Sequence, residues 1–414
     1  MKTFKDYHVL QLTDVFRDHI KFCKDNYGLN PLNYVTFPEL AKDACLKVSG
    51  VSLDPVIDLD LRIAIQQCVR GGISMAVKRV SRANNKYMKN YDPSKPDIFL
   101  LYFDANNLYD GDAMNQKLPT GNYRRIREHI IETAVEDKLW RNIPGFSKVD
   151  IIIPEHLHDY FNDLPSCPER RKINGVDKLV TTLDNKYGYW YHHEAITFWE
   201  DMGCIITKYH EGFTFDESRW MKPYSDLNTE LRKKAKSESI RDQCKLANNS
   251  VFGKTVENPL KRVNYKFVTD RETALKLIAN PNFINHVEFT EEFHALHMRQ
   301  QKVVWDKPTP VGAAILALSK VRMYRFFYFY VKPKWGDKVS LVYTDTDSFI
   351  LELKTPDAYK DIEPDLHEWF DTRKFAKDNP CGFDITINND IPGKFKDEFG
   401  GKIIYEGIAL ASKL

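Results

Sequence analysis

The sequence predicts an α+β fold. Two short apolar runs, 339–343 and 348–353, flank the residues TDTD, which is the pattern of a β-hairpin with an acidic tip. A third run, 98–103, is as short, apolar and aromatic as a buried strand and is followed directly by Asp104. Apolar residues at helical spacing occupy the long stretches 226–252 and 311–331. Because strand and helix patterns alternate along the chain, the fold is mixed.

The other elements follow from the same patterns. Apolar residues at helical spacing are followed by a helix-stop residue at Gly28 and again at Gly50, and an apolar strand ends at Pro154. The letters PSCPERRK are typical of an exposed loop. These elements are helices at 8–27, 37–48 and 124–139, a strand at 149–153 and a loop at 165–172.

The two long helices differ in composition. The helix 226–252 begins at a cap-like Ser225 or Asp226, and its exposed positions are mostly basic. The helix 311–331 is rich in aromatic residues, which we expect to fill a core rather than bind bases, and Pro333 is expected to end it.

Composition excludes several classes of protein. The 414 residues are 43% hydrophobic and 13% aromatic, which is enough for a buried core and argues against disorder. No run of about 18 apolar residues and no signal peptide is present, so we expect a soluble intracellular protein that does not bind membranes, in an unknown compartment. The seven cysteines form no CxxC pair, which favours reduced buried thiols over disulfides or a zinc ribbon.

The net charge is only +2, from 60 Lys+Arg and 58 Asp+Glu. By itself this balance argues against nucleic-acid binding, but a balanced total can hide basic and acidic surfaces that are segregated. Basic residues gather in 78–95 and in the helix 226–252, whereas acidic residues gather at the TDTD tip and in 361–371.

The acidic tip is the first candidate site. Asp345 and Asp347 are one residue apart on an extended chain, so their carboxylates point the same way and repel each other unless a cation lies between them. A lone D-x-D is more often a solvated turn. Asp104 ends a second apolar strand, however, and two strand ends can surround a pair of divalent metals ~3.5–4 Å apart. Such a pair activates an attacking 3′-hydroxyl and stabilises the leaving pyrophosphate.

The basic helix is the second candidate. Lys233, Arg241 and Lys245 recur at spacings of eight and four, near one helix face, and Asn249 follows one turn later. Cations in this arrangement suit a triphosphate, while Asn249 and Phe252 would lie against sugar or base. The alternative is an ordinary solvated basic face.

Together, these segments resemble the three polymerase motifs of family B DNA polymerases, in the same order. DANNLY at 104–109 is similar to D-x-x-[SN]-L-Y, KLANNSVFG at 245–253 to K-x₃-N-S-x-Y-G, and YTDTDS at 343–348 to Y-x-D-T-D-S. The longer segments DLNTELRKKAK, NNSVFGKTVEN and GKFKDEFGGKIIYE resemble the protein-primed subgroup of viruses, linear organellar plasmids and polinton-type elements. The resemblance covers nearly the whole chain.

The resemblance implies a polymerase palm, made of an antiparallel sheet with helices, together with helical fingers and inserted subdomains. The implied divisions are an exonuclease-end remnant and linker (1–75), the first palm part (76–124), an insertion like the subdomain that binds the terminal protein (125–222), the fingers (223–254), a second insertion like that used in strand displacement (255–305), and the second palm part (306–414). We expect the chain to lack the exonuclease and the thumb.

The resemblance also assigns roles to individual residues. Asp104 and Asp347 would be the catalytic carboxylates, with Asp345 as a supporting acid, and the Ala105 carbonyl would join Asp104 and Asp347 in binding two Mg²⁺ ions, for which Mn²⁺ is a possible substitute. Tyr109 would lie under the incoming sugar and exclude a 2′-hydroxyl.

Nucleotide and DNA contacts are implied at two further places. Lys245 would contact the triphosphate with Lys233 and Arg241, and Asn249 with Phe252 would shape the nascent-pair pocket. The linker Y-x-G-G that contacts the template is similar to Val69-Arg70-Gly71-Gly72, and Lys413 matches the lysine of the K-x-Y primer-binding motif. Phe252 replaces the family's tyrosine, which keeps the ring and loses a hydroxyl. One additional residue between Tyr109 and Ala113 is expected to shift the following helix.

The implied function is a DNA-directed DNA polymerase that adds dNTPs to the 3′-end of a primer on a DNA template, without proofreading. Its setting would be the protein-primed replication of a virus, plasmid or mobile element, with a terminal protein as a possible partner. The alternatives are a catalytically inactive DNA-binding remnant and, less favoured, an RNA-copying polymerase. The histidine pairs His192-His193 and His294/His297 have no cysteine or third ligand nearby in the sequence, so we interpret them as surface or loop residues rather than metal ligands.

Overall fold

The computed structural model describes the backbone of residues 2–409 and the side chains of residues 10–109 and 111–409. Lys413, the predicted primer-binding lysine, lies outside these residues. The chain divides into two compact units, one formed by Val256–Pro308 and the other by the rest of the described chain. Within the described residues, every helix is too short or too polar to span a membrane.

The α-helices of the described chain vary widely in length. They are α1 (Lys2–Tyr27), α2 (Phe37–Ser49), α3 (Leu59–Cys68), α4 (Glu128–Ile131), α5 (Leu139–Asn142), α6 (His158–Phe161), α7 (His193–Asp201), α8 (Lys222–Lys234), α9 (Glu238–Thr255), α10 (Arg271–Ile278), α11 (Thr309–Arg325), α12 (Lys332–Trp335), α13 (Ala358–Ile362) and α14 (Leu366–Trp369).

The strands are mostly short. They are β1 (Ser74–Ala76), β2 (Val80–Arg82), β3 (Phe99–Ala105), β4 (Leu118–Arg125), β5 (Gly145–Ile152), β6 (Glu169–Ile173), β7 (Val176–Val180), β8 (Lys186–His192), β9 (Ile205–Ser218), β10 (Asn264–Val268), β11 (Phe283–Thr290), β12 (Phe293–Met298), β13 (Val339–Asp345), β14 (Ser348–Leu353), β15 (Phe370–Asp371), β16 (Phe395–Asp397) and β17 (Glu406–Ile408).

A six-stranded central sheet has the order β1-β13-β14-β3-β16-β15. All its pairings are antiparallel except that of β15 with β16. The predicted hairpin is confirmed as β13 and β14, and the predicted strand that precedes Asp104 is β3, directly beside β14. The strand ends that carry the three candidate aspartates therefore meet at one edge of the sheet.

The core behind this sheet is aromatic. Helix α11 continues through a π-helical segment, Phe326–Val331, into α12, and the ring of Phe326 stacks on Phe395 of β16 at 3.6 Å. The predicted core role of these aromatic residues is confirmed for all except Phe329, which is 45% exposed. The helix does not end at Pro333, which lies in the first turn of α12, where a missing N–H is tolerated. It ends at Gly336, which has a φ of +53°.

Three other local predictions need correction. The helix predicted at 124–139 is wrong, because Arg124 and Arg125 end β4 and only the short α4 and α5 follow. The loop predicted at 165–172 is partly strand β6, which pairs with β7 outside the central sheet. The helix predicted at 226–252 is two helices, α8 and α9, because the chain is extended at Ala235 after α8.

The unit Val256–Pro308 contains a three-stranded antiparallel sheet of order β10-β12-β11 and the helix α10. Its core is small, with Ala274, Leu296 and Met298 as its buried cluster.

Two of the histidines interpreted as surface or loop residues are buried. His294 lies in β12 with 3% of its surface exposed, and His192 is 2% exposed, so the surface interpretation is wrong for both histidines.

Candidate active site

The three predicted acidic residues lie together at the ends of neighbouring strands. Asp104 pairs with Ser348 across β3 and β14, and Asp345 pairs with the same serine across β13 and β14. The backbone N–H of Ala105 donates a 2.7 Å hydrogen bond to the carbonyl oxygen of Asp347. This backbone ladder brings Asp104 and Asp347 to the same strand ends, close enough for the charge of Asp104 to act on Asp347, although the two residues are far apart in the sequence.

The environment of these carboxylates is electrostatically unfavourable without a cation. Burial, followed by the charge of Asp104, raises the pKa of Asp347 to about 6. Burial also raises the pKa of Asp104, an effect that the nearby Lys396 partly offsets. Carboxylate oxygens are the hard donors that Mg²⁺ prefers, and two neighbouring carboxylates repel each other less when a divalent cation lies between them. The residues present therefore fit the predicted metal pair.

Lys396 is a cation that the sequence analysis missed. Its Nζ forms an ion pair with Asp104 and lies 3.0 Å from a carboxylate oxygen of Glu398. Lys396 lies opposite Asp104 in the β3–β16 pairing, which explains the contact. The only sequence signal was the segment GKFKDEF, which the resemblance singled out without assigning a role to this lysine.

The turn between Asp345 and Asp347 rests on the glycine linker. Thr346 has a φ of +63°, and its N–H donates a 2.8 Å hydrogen bond to the carbonyl of Ile73. A Cβ added at Gly72 would lie 2.3 Å from Oγ1 and 2.8 Å from Cβ of Thr346, whereas a Cβ at Gly71 would meet nothing within 4 Å. Gly72 thus allows the linker to approach the acidic turn closely.

The side chain of Arg70, in the linker predicted to contact the template, lies inside the protein. It is 8% exposed, donates a 2.6 Å hydrogen bond to the Trp190 carbonyl and places its guanidinium 4.7 Å from the centre of the Tyr191 ring. A guanidinium held in this way is not available to a DNA phosphate, so the template contact of this linker, which stays a prediction, would have to be made by other groups of the linker. Arg70 instead fixes the linker to strand β8.

The additional residue after Tyr109 is absorbed locally. Residues Leu108–Asp112 form one turn of π-helix, in which the N–H of Asp112 donates a 3.1 Å hydrogen bond to the Asn107 carbonyl. A π-turn is the usual way in which a helix accommodates one extra residue, frequently at a functional site. The following Ala113 and Met114 are fully buried, so the insertion is compatible with close packing.

Asn106, between β3 and this π-turn, is held by a buried polar network. Its side-chain amide donates a 2.6 Å hydrogen bond to Asp371, and its side-chain oxygen accepts one of 3.1 Å from Arg373. Asp371 is 1% exposed, and its charge is paired with the Arg373 guanidinium. The sequence gives no sign of this network, because its members lie in segments without a shared motif.

Tyr109 and Phe252, predicted separately in two motifs, stack on each other. Their ring centroids are 4.7 Å apart, with an angle of 6° between the ring planes. The contact joins the turn after β3 to the C-terminal part of α9. Both rings are partly exposed.

Helix α9 presents Arg241, Lys245 and Asn249 at exposed positions one turn apart. Lys233 does not share their helix, because it lies in α8 and forms an ion pair with Glu230 at 3.3 Å. The prediction that Lys233 lies on the same helix face as Arg241 and Lys245 is therefore wrong. The non-helical residues 235–237 separate the helix of Lys233 from that of Arg241 and Lys245.

Buried polar contacts hold α8 and α9 together. Asn228 of α8 accepts a 2.6 Å hydrogen bond from the Tyr27 hydroxyl and donates one of 2.8 Å to Asn248 of α9. The Tyr224 hydroxyl donates a 3.1 Å hydrogen bond to the Ala247 carbonyl. Because these groups lose water on burial, any change in the pairing of α8 and α9 would leave them unsatisfied.

Comparison with known proteins assigns the chain to a family. Residues 56–330 match the family model described as DNA polymerase type B, organellar and viral. A curated relative, a probable DNA polymerase of Neurospora intermedia, is 23% identical over 258 residues, which are 61% of this chain and 25% of that protein.

The fold is also that of a solved polymerase. The orthorhombic crystal form of Phi29 DNA polymerase matches with a TM-score of 0.53 and 14% identity, over 90% of this chain and 54% of that one. Its ternary complex with primer-template DNA and incoming nucleotide substrates has the same TM-score and identity, over 92% of this chain and 55% of the solved one. The chain thus spans a quarter of the curated relative and about half of the solved polymerase. On its family match and its fold, the chain belongs to the organellar and viral type B DNA polymerases.

Proposed function

We propose that this chain carries the polymerase centre of a DNA-directed DNA polymerase, which adds dNTPs to the 3′-end of a DNA primer on a DNA template. The observation that carries the proposal is the pairing of β3 with β14, which places Asp104 beside Asp347 in a setting that raises the pKa of both carboxyl groups. Two divalent ions, Mg²⁺ or Mn²⁺, would supply activation of the 3′-hydroxyl and neutralisation of the pyrophosphate.

Residues of the chain itself would bind the ions, orient the triphosphate and support the incoming nucleotide. Asp104 and Asp347 would hold the ions with the Ala105 carbonyl, and Asp345 would support the turn. Lys245 and Arg241, on the exposed face of α9, would orient the triphosphate, with Asn249 beside them. The stacked rings of Tyr109 and Phe252 would form the floor under the incoming sugar and base.

The biological setting belongs to the same proposal. Protein-primed replication of a virus, plasmid or mobile element, with a terminal protein as partner, is supported by the motif resemblance and by the family. Residues 125–222 and 255–305 would serve as the insertions for the priming protein and for strand displacement.

The proposed absence of proofreading is based on the sequence motifs. It is tested by incubating a labelled primer with the protein and Mg²⁺ but without dNTPs, and we expect the primer to stay intact.

A second candidate is a DNA-binding protein without catalytic activity. The ion pair of Lys396 with Asp104 favours it, because the ammonium group occupies a carboxylate oxygen that a metal would use. The deciding experiment is primer extension by the purified chain with Mg²⁺ or Mn²⁺, with Asp104→Asn as the matched control. The polymerase proposal expects extension by the wild-type chain alone. DNA binding without extension under either metal would support the inactive protein instead.

Sugar discrimination gives a more specific prediction. Tyr109→Val removes the ring on which we expect the deoxyribose to rest, so ribonucleotide incorporation relative to deoxyribonucleotide should rise by roughly 10- to 100-fold. Single-nucleotide incorporation rates with a dNTP and its matching rNTP measure the ratio. Phe252→Tyr is the control, because it keeps the stacked ring and should leave the ratio near that of the wild type. An unchanged ratio in Tyr109→Val would remove Tyr109 from the sugar site.

A further inference from the structure

Two histidines and a glutamate meet on one face of the hairpin β11–β12. Glu288 lies opposite His294 in the strand pairing, and His286 is two residues before Glu288, so all three side chains share that face. Their ligand atoms lie within 4.8 Å of one another. Nε2 of His286 is 3.1 Å from Nδ1 of His294. Two ring nitrogens that face each other at this distance are spaced like two ligands of one tetrahedral metal.

The second nitrogen of His294 identifies its tautomer. Nε2 lies 3.1 Å from the backbone carbonyl oxygen of Glu291, which can only accept a hydrogen bond, so Nε2 carries the hydrogen. Nδ1 is then the lone-pair nitrogen, and it is directed at His286. A ring N–H donated to a backbone carbonyl is the arrangement that orients a metal-binding histidine. With 3% of its surface exposed, His294 is also held firmly in place.

The surrounding unit would gain from such a cross-link. Val256–Pro308 has a buried cluster of only Ala274, Leu296 and Met298, and units of this size commonly need a metal or disulfide for stability. Within the described residues of the chain every cysteine is a free thiol, and no cysteine lies in this unit. The His₂Glu set also occurs in known zinc sites, with water as the fourth ligand.

We propose that His286, Glu288 and His294 bind one Zn²⁺ ion that joins β11 to β12. The ligand set selects Zn²⁺ over Mg²⁺, because imidazole nitrogen is a poor ligand for Mg²⁺ and a good one for Zn²⁺. The site is separate from the Asp104–Asp347 pair and does not depend on the proposed polymerase activity.

The test is Zn²⁺ titration of the full chain, monitored by competition with a chromophoric chelator. Wild type should bind one more Zn²⁺ than His286→Ala, in which the half-exposed ring can be removed with little effect on folding, and affinity at this site should fall about 100-fold or more. His297→Ala is the matched control, because His297 lies on the opposite face of β12, against Tyr265. The acidic residues of the central sheet are the same in all three proteins, so any Zn²⁺ that they bind cancels in the comparison.

Two further measurements make the outcome decisive. Co²⁺ bound in place of Zn²⁺ should show the visible bands of tetrahedral coordination in wild type and His297→Ala, and not in His286→Ala or Glu288→Gln. Limited proteolysis of the full chain should cut residues 283–298 more slowly with Zn²⁺ than with a chelator. Equal zinc stoichiometry and affinity in wild type and His286→Ala would overturn the proposal and leave the histidines as a plain hydrogen-bonded pair.

Discussion

Asp347→Asn is expected to abolish nucleotide incorporation while making the metal-free protein more stable. Activity should fall by roughly 10³-fold or more, which is the scale of losing a principal charge-stabilising group in phosphoryl transfer. Stability should rise because the substitution removes one of two adjacent charges from a partly buried site in which burial and Asp104 already raise the pKa of Asp347 to about 6. Allowing for solvent screening, we expect a gain of roughly 1–2 kcal/mol in the free energy of unfolding.

The gain should depend on pH in a defined direction. The pKa of Asp347 is higher in the folded protein than the ordinary value of 3.8, so its ionisation costs folding stability above pH 6. As the pH falls from about 6 towards 3.8, the folded wild type holds a proton at this site that the unfolded chain still lacks, and it recovers that stability progressively. The difference between Asp347→Asn and wild type should therefore be largest near pH 8 and shrink below pH 6.

Denaturant unfolding with a chelator present, at pH 8 and at pH 5, measures the stability difference, and primer extension measures the activity. Asp345→Asn is the control, and as a supporting acid it should cost less activity. Two results would contradict the roles given to Asp104 and Asp347. One is an Asp347→Asn protein that is less stable than wild type at pH 8, and the other is an Asp347→Asn protein that extends a primer at the wild-type rate.

Gly72→Ala is expected to reduce incorporation by about 10²-fold, although Gly72 carries no reactive group. The new Cβ would lie 2.3 Å from Oγ1 and 2.8 Å from Cβ of Thr346, and the Cβ cannot swing away as the end of a long side chain would. The turn that carries Asp345 and Asp347 must therefore move, and a shift of about 1 Å at a catalytic group commonly costs this much rate.

The structure supplies both a control and a rescue for this substitution. Gly71→Ala should keep nearly full activity, because its Cβ would meet nothing within 4 Å. The double variant Gly72→Ala/Thr346→Gly should recover most of the loss, since it removes the clashing Oγ1, Cγ2 and Cβ atoms of Thr346 and places glycine at a φ of +63°. The measurement is the single-turnover rate of nucleotide incorporation at saturating DNA. If Gly71→Ala and Gly72→Ala lose equal activity, the linker acts through DNA contact and not through the acidic turn.

Local patterns predicted much of the central sheet. Alternation and apolar runs identified β3, β13 and β14, because buried strands that end in aspartates are unusual in composition. The helix predicted at 124–139 was wrong. The first two residues of this segment are the end of strand β4 and pair with β9. Sheet pairing outweighed local periodicity there, because backbone hydrogen bonds to β9 satisfy the same groups that a helix would.

The sequence by itself determined the family and the candidate acidic residues, because both are recognised in short contiguous motifs with a characteristic order of residue types. Only the tertiary structure decided which distant segments touch. Gly72 against Thr346, Lys396 against Asp104, Tyr109 against Phe252 and His286 against His294 are contacts of this kind. They arise from strand register and helix packing, which depend on the whole chain, so no periodicity or spacing within one segment could have shown them.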